Sequence, residues 1–198
     1  MSHKGKKFKW IEGKNKNLFF TIKNKLLKFG KYFVREDYEY LLLAEDIKVI
    51  ETLDKIIDRN KSNKNLLLYR NVNLKYFDVF GIDDKLKSGL EDGLSDEVEQ
   101  AQAIFDNIIK NKTVFQEKGF MSTSYDKELN AFTGCNVHIE IKVPKGYNMY
   151  VTDNVNESEV ILKRNTKYNV ESFEPVKTDE CIFYKLIIKV QAHGKQQL

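Results

Sequence analysis

The chain has 198 residues, of which 41% are hydrophobic and 31% are charged, and its formal net charge is +4. This length and apolar content fit one folded domain with a substantial core and exclude a chain that is disordered throughout. No apolar segment approaches the roughly 20 residues that cross a bilayer, and two cysteines and three histidines are too few for a disulfide framework or a histidine-rich metal site.

The positive charge comes mostly from lysine, since arginine occurs only at Arg35, Arg59, Arg70 and Arg164. Lysine is the usual cation of a solvated surface, whereas arginine is preferred for bidentate phosphate contacts. We therefore expect no stable nucleic-acid or membrane partner and no metal. The first ten residues contain no apolar segment of the kind found in a secretory signal.

The predicted elements begin after a basic segment, residues 1–16, that we expect to be flexible, and residues 17–198 are expected to form a single domain. Residues 18–29 have the pattern of a short amphipathic helix, for which packing on the domain is favoured over lying on a membrane surface. Between Tyr38 and Asp58, apolar residues at steps of three and four predict a core-facing helix. Its core-facing positions are Leu43, Ile47, Ile50, Leu53 and Ile57.

The middle of the chain contains one short strand and a second helix. Residues 65–70 form an apolar segment of strand length, and a polar, glycine-containing stretch follows to Gly93. Ser95 is expected to cap a helix with acidic residues in its first turn. Its apolar face would carry Val98, Ala101, Phe105 and Ile108.

From about Val114 the pattern changes to strands. The clearest is 137–143, where apolar residues alternate with polar ones and Pro144 and Gly146 end the segment. Further strands are expected at 120–124, 159–162, 167–171 and 181–190. Because helices come first, strands follow and no βα alternation repeats, we predict an α+β domain with a largely antiparallel sheet and not a Rossmann fold.

Three short polar segments lie on or beside these strands: Tyr69-Arg70, residues 122–124 (Ser-Thr-Ser) and residues 157–159 (Glu-Ser-Glu). Strand residues i and i+2 project to one face, so two serines share a side of the second segment. The two carboxylates of the third would lie roughly 6–7 Å apart on one face if the extended backbone begins that early. An arginine that ends a neighbouring strand is suited to a phosphate. Each signal alone is weak, since Glu97-Val-Glu99 repeats the Glu-x-Glu spacing inside a predicted helix.

In combination, the order Tyr-Arg, Phe-x-Ser-Thr-Ser and Glu-x-Glu-Val-x-Leu resembles the arginine–serine–glutamate class of mono-ADP-ribosyltransferases. This class includes catalytic subunits of clostridial binary toxins, Rho-modifying exoenzymes and phage-encoded transferases. The resemblance covers roughly residues 66–190. It implies N-terminal helices packed on a mainly antiparallel two-sheet β core of the ADP-ribosyltransferase type, with NAD as co-substrate and no metal.

The resemblance also implies roles for three catalytic residues. Glu159 would be the catalytic glutamate that bonds the nicotinamide ribose, and Ser122 would position it and shape the nicotinamide pocket. Family members with a glutamate at the position of Glu157 modify arginine, whereas members with glutamine there modify asparagine. The expected acceptor is therefore an accessible arginine of a target protein.

The remaining implied residues would bind NAD. Arg70 would grip the diphosphate, while Asn71 departs from the glycine that often follows Tyr-Arg in relatives. Phe132 would stack on nicotinamide, although a core role is favoured for it and for Tyr69. The predicted NAD-binding residues are Tyr69, Arg70, Asn71, Ser122, Thr123, Ser124 and Phe132.

Two alternatives stay open from the sequence. One is an NAD glycohydrolase of the same fold, in which water replaces the protein acceptor. The other is a basic module that binds nucleic acid or an acidic partner through Lys4, Lys6, Lys7 and Lys9. As a transferase, the chain is expected to be a monomer, either a secreted or delivered toxin that acts in a host cytosol or a phage enzyme in the bacterial cytoplasm.

Overall fold

The computed structural model of the protein describes residues 44–127, 136–152, 158–178 and 182–192. The predicted basic segment 1–16 and the predicted helix 18–29 therefore lie outside the described residues. The helical elements are α1 (Ala44–Asp58), a 3₁₀ helix (Leu74–Phe80), α2 (Asp84–Glu91) and α3 (Ser95–Lys110). The strands are β1 (Leu66–Val72), β2 (Val114–Glu117), β3 (Met121–Ser124), β4 (Val137–Val143), β5 (Met149–Val151), β6 (Glu159–Leu162), β7 (Thr166–Lys177) and β8 (Ile182–Val190).

The described strands pair in the order β2-β7-β8-β4-β1-β3-β6-β5. Every neighbouring pair is antiparallel except β4 and β8, which run parallel. The predicted α+β fold with a mainly antiparallel sheet is thus confirmed. A single residue pair, Tyr69 with Ser124, joins the five-stranded part that ends at β1 to the three-stranded part β3-β6-β5. The two sheets that were expected are therefore joined into one by this single residue pair.

The core lies on one face of the five-stranded part. Alternate residues of β4 point into it, as the sequence predicted, and Ile139 and Ile141 are at most 2% exposed. α3 covers this face, and the Phe105 ring stacks on Phe173 of β7 with centroids 4.1 Å apart. Burial of such large apolar side chains is the main contribution to the stability of a domain of this size.

The helix predicted to end at Asp58 is confirmed over its described part, with Ile50, Leu53 and Ile57 buried. The prediction that Ser95 caps the next helix is wrong by one position. The N-cap of α3 is Leu94, whose side chain has no oxygen that can accept a hydrogen bond.

The stretch between β1 and Gly93 is richer in structure than its polar composition predicted. It contains the 3₁₀ helix and α2. Asp83 caps α2, since its Oδ1 accepts a hydrogen bond of 2.8 Å from the backbone N–H of Leu86. Leu86 and Leu90, one turn apart, then bury the same face of the helix.

Within the described part of the chain, no helix combines the length and apolar character that a membrane-spanning helix needs.

Candidate functional site

The β3–β6 ladder brings two of the predicted catalytic residues together. Ser124 pairs with Glu159 and Ser122 pairs with Ile161, so the polar side chains of both strands project to one face. The Ser122 hydroxyl donates a hydrogen bond of 2.6 Å to Oε1 of Glu159. Glu159 is only 6% exposed. The site therefore contains a largely buried carboxylate whose position is fixed by a neighbouring hydroxyl.

Thr123 lies between the two serines and points to the opposite face. Its Oγ1 donates a hydrogen bond of 2.7 Å to the carbonyl of Val160, and its side chain is buried. This bond ties the backbone of β3 to β6 at the level of Glu159. Thr123 thus supports the pairing of β3 with β6.

Ser158, the residue immediately before Glu159, is held in place by its backbone. Ser158 has a φ of 45°, in the left-handed region, and its carbonyl accepts a hydrogen bond of 3.2 Å from the N–H of Tyr125. Ser124 contributes by accepting a hydrogen bond of 2.9 Å from the N–H of Asp126. The connection after β3 and the turn before β6 are thereby held against each other.

The same turn changes the expected relation between the two glutamates. β6 begins at Glu159, and Ser158 before it is not extended. The condition for Glu157 and Glu159 to share a strand face is therefore not met. Glu157 itself lies outside the described residues, as does Phe132.

Arg70 makes its described contacts away from the Ser122–Glu159 pair. Its Nη1 lies 3.6 Å from Oε2 of Glu117, and its guanidinium carbon lies 5.7 Å from the centroid of the Tyr76 ring. A distance of 3.6 Å is an ion pair but not a hydrogen bond. Nη1 is buried and has no hydrogen-bond partner in the described part of the chain. This orphaned cationic donor suits an anionic ligand.

The residues beside Arg70 occupy the other face of β1, because side chains alternate along a strand. Tyr69 pairs with Ser124 on one side and with Glu140 on the other, and Asn71 pairs with His138. Tyr69 therefore shares a row of the sheet with Ser124, and both Tyr69 and Asn71 are half-buried.

Glu117 is a site residue that the sequence analysis missed. It ends β2, is 5% exposed, and is the ion-pair partner of Arg70. Burial raises the pKa of the Glu117 carboxyl, and the Arg70 charge and the Gly119 N–H only partly oppose that shift. In the sequence, an acidic residue followed by Lys118 and Gly119 is typical of solvated surface, so no pattern predicted this contact.

The described geometry is suited to chemistry on a sugar. A carboxylate fixed beside a hydroxyl can stabilise the positive charge that develops when a glycosidic bond breaks. Across the described ranges, no group of three or more His, Cys, Asp and Glu side chains is placed to hold a metal ion.

Comparisons with known proteins give the family and the fold. Residues 24–193 match the family model described as ADP-ribosyltransferase exoenzyme. The comparison with curated protein sequences found no match. The solved structures that are similar include C3larvin toxin, an ADP-ribosyltransferase from Paenibacillus larvae, with 21% identity, 96% of each chain covered and a TM-score of 0.67.

Two further similar structures hold a nicotinamide dinucleotide. C3stau2 from S. aureus with NAD has 19% identity, with 85% of this chain and 92% of that chain covered and a TM-score of 0.59. BECa, an ADP-ribosylating toxin of a binary enterotoxin of C. perfringens, solved with NADH, has 16% identity, 93% and 45% coverage and a TM-score of 0.61. At these identities the likeness shows the fold. Because the family model spans most of the sequence, the chain belongs to the ADP-ribosyltransferase exoenzyme family.

Proposed function

We propose that the protein transfers ADP-ribose from NAD to an arginine side chain of a target protein. The observation that carries this proposal is the buried Glu159 carboxylate, held at 2.6 Å by Ser122. Cleavage of the nicotinamide–ribose bond gives the ribose oxocarbenium character, which a fixed carboxylate stabilises. The similar structures of C3stau2 and BECa contain NAD and NADH, which supports NAD as the co-substrate here.

In the proposed reaction, the bond between the ribose C1′ and the nicotinamide nitrogen breaks, and nicotinamide leaves with the bonding electrons. A nitrogen of the acceptor guanidinium forms the new bond to C1′ and releases one proton. Glu159 contacts the nicotinamide ribose, and Ser122 holds the carboxylate in place. The carboxylate of Glu157 aligns the acceptor guanidinium through paired hydrogen bonds and accepts its proton.

Arg70 is proposed to bind the NAD diphosphate. Its side chain is partly exposed and its Nη1 has no hydrogen-bond partner in the described ranges, so the guanidinium keeps donors for a phosphate. Tyr69 and Ser124 share one row of the sheet, on the face of β1 opposite to Arg70, and are proposed to contact the part of NAD that lies beside Glu159. The full proposed NAD-binding set is Tyr69, Arg70, Asn71, Ser122, Ser124 and Phe132, with Thr123 on the opposite face supporting the strand.

Glu159→Gln tests the central step. The amide keeps the size of the side chain but removes the charge, so nicotinamide release and arginine transfer should both fall by about 100-fold or more. Both are measured with NAD and a model arginine acceptor. Glu99→Gln, on the exposed face of α3, is the matched control and should keep both rates. Near-normal turnover by Glu159→Gln would contradict the mechanism.

Glu157→Gln separates the acceptor step from NAD cleavage. This variant should lose arginine transfer while NAD hydrolysis continues, because water needs no second carboxylate to align it. Normal arginine transfer by the variant would refute the role of Glu157. If the wild-type protein released nicotinamide but labelled no protein, NAD glycohydrolysis would be its activity instead.

The target and the place of action are also proposals. We propose a monomer that acts on a protein with an accessible arginine, as a delivered toxin in a host cytosol or as a phage enzyme in the bacterial cytoplasm. Incubation of labelled NAD with bacterial and eukaryotic lysates, followed by mass spectrometry of the labelled peptide, identifies both the target and the modified residue. A label found on a residue other than arginine would contradict the proposed acceptor.

A further inference from the structure

We infer that Glu117 is a positioning residue for NAD binding, which faces the buried Nη1 of Arg70 and so fixes the partly exposed guanidinium side chain for the diphosphate. This inference rests on the proposed role of Arg70. It goes beyond that role because Glu117 belongs to none of the three sequence motifs and does not itself contact NAD in the proposed reaction.

Arg70 and Glu117 form an ion pair whose two closest atoms are too far apart for a normal hydrogen bond. Nη1 of Arg70 lies 3.6 Å from Oε2 of Glu117, too far for a hydrogen bond. Nη1 is buried and unpartnered within the described residues, although the side chain as a whole is 19% exposed. The carboxylate therefore orients the guanidinium mainly through its charge, at a distance longer than a normal hydrogen bond.

Glu117 is itself held rigidly. It pairs with Thr166 at the end of β2, and its Oε1 accepts a hydrogen bond of 3.3 Å from the N–H of Gly119. One carboxylate oxygen is thus tied to the backbone, and the other faces Arg70. Because Gly119 lies in the segment that leads to β3, the same carboxylate links Arg70 to the strand that carries Ser122.

Burial of the Glu117 carboxylate opposes folding, because a charged group loses its contact with water. Its side chain is 4% exposed, and removal from water raises the pKa of its carboxyl more than Arg70 and Gly119 lower it. Replacing a buried ion pair with apolar residues is often neutral or stabilising, so a stability role alone does not account for a carboxylate here. The carboxylate at position 117 is explained if the Arg70 guanidinium must be held in one orientation.

The other side chains around the pair are neutral at physiological pH. Among the described residues, the titratable and charged groups that interact with Glu117 are Arg70 from β1, Tyr76 from the 3₁₀ helix and Tyr168 from β7. The two tyrosine hydroxyls lie 2.9 Å apart, and burial raises the pKa of Tyr76 to about 12. Glu117 is therefore the negative charge that orients Arg70 in this part of the core.

Glu117→Gln tests the inference. We expect the Kd and KM for NAD to rise on the order of tenfold, since a misplaced guanidinium binds the diphosphate poorly, while kcat changes little. The free energy of unfolding is also expected to fall, because the substitution leaves the Arg70 charge without its buried partner, so the Kd and KM for NAD are the measurements that discriminate. The exposed Glu99→Gln variant should match the wild type in all four measurements. A purely structural role predicts lower stability with an unchanged Kd and KM for NAD.

Two further readouts keep this test separate from the test of the proposed function. In an Arg70→Lys background, Glu117→Gln should add no further loss of NAD affinity, because the group it positions is already gone. NAD affinity of the wild type should also weaken at acidic pH as Glu117 becomes protonated, and Glu117→Gln should remove that dependence.

Calorimetry of NAD binding needs no turnover, so it reports on the inference even if the acceptor proposal fails. Unchanged or tighter NAD binding by Glu117→Gln would overturn the inference but leave the reaction intact. Absence of NAD binding by the wild type would overturn both. Loss of nicotinamide release alone, with NAD bound normally, would overturn only the proposed function.

Discussion

The Ser122 hydroxyl has a single O–H group, which it uses to donate a hydrogen bond to Oε1 of Glu159. The bond fixes one oxygen of a largely buried carboxylate, whose side chain would otherwise turn among several rotamers. At the scale of single residues, the site is therefore a matter of positioning: Ser122 orients Glu159, and Glu117 orients Arg70.

Ser122→Ala should lower nicotinamide release by about 10- to 100-fold. The substitution removes the hydrogen bond to Glu159 but leaves β3 paired with β6 through the backbone and through Thr123. The rate of nicotinamide release from NAD measures the effect. Ser88→Ala, at an exposed position of α2, should keep the wild-type rate. A Ser122→Ala enzyme that releases nicotinamide normally would show that Glu159 needs no support from this hydroxyl.

At the scale of elements, α1 supports the three-stranded part of the sheet. Ile50, Leu53 and Ile57 pack with Phe120, which immediately precedes β3. Arg164, just after β6, donates hydrogen bonds of 3.2 and 2.5 Å to the two carboxylate oxygens of Asp54. α1 is thus fixed to the ends of the two strands that carry Ser122 and Glu159.

Ile57→Ala should destabilise the fold by about 2–5 kcal/mol, because Ile57 is fully buried and its truncation leaves a cavity beside Phe120. The free energy of unfolding in urea measures this loss. Ile57→Val is the graded control and should cost only about 0.5–1.5 kcal/mol. Equal stability of the alanine variant and the wild type would mean that α1 does not pack on the sheet as described.

The elements also show what the sequence could predict. α1 and β4 were predictable because the buried side chains follow one period without interruption, as in the alternation of Val137–Val143. β5 was not predicted, since its three residues are all half-buried and show no alternation. α2 was missed because its eight residues carry only two buried leucines among polar ones.

The candidate site was predictable only in part. Ser122 and Glu159 are 37 residues apart, and their contact followed from the resemblance of ordered motifs, not from periodicity. The Arg70–Glu117 pair depends on which side chains the finished core encloses, and no local pattern encodes it. The expectation that Glu157 and Glu159 share a strand face required an extended Ser158, and Ser158 is in the left-handed region.

At the scale of the whole molecule, the core contains several tyrosines whose hydroxyls are bonded within the protein. Tyr76 bonds Tyr168, Tyr147 bonds Thr166, and the Tyr184 hydroxyl donates to the carbonyl of Leu90. Burial raises the pKa of all four phenols. The folded state therefore keeps these protons at a pH where the unfolded chain releases them.

This difference predicts a loss of stability in alkaline solution. A group whose pKa is raised on folding contributes stability that is fully present below its unfolded pKa, near 10, and is lost as the pH rises through the folded pKa. For Tyr184, burial raises the pKa to about 12, so its contribution should decline from about pH 10 towards pH 12. Tyr184→Phe should be less stable than the wild type at neutral pH by about 1 kcal/mol, because the hydrogen bond to Leu90 is lost.

Urea unfolding at a series of pH values should show that deficit shrinking above about pH 10, since the variant has no phenol to deprotonate at this position. Lysines also titrate in this range, but they are common to both proteins and cancel in the difference. Tyr125→Phe, at a position that is 54% exposed, is the control whose difference from the wild type should not change with pH in this way. A constant difference between Tyr184→Phe and the wild type across the whole series would mean that Tyr184 has the same pKa in the folded and unfolded states. That result would contradict a phenol that is fully buried in the core.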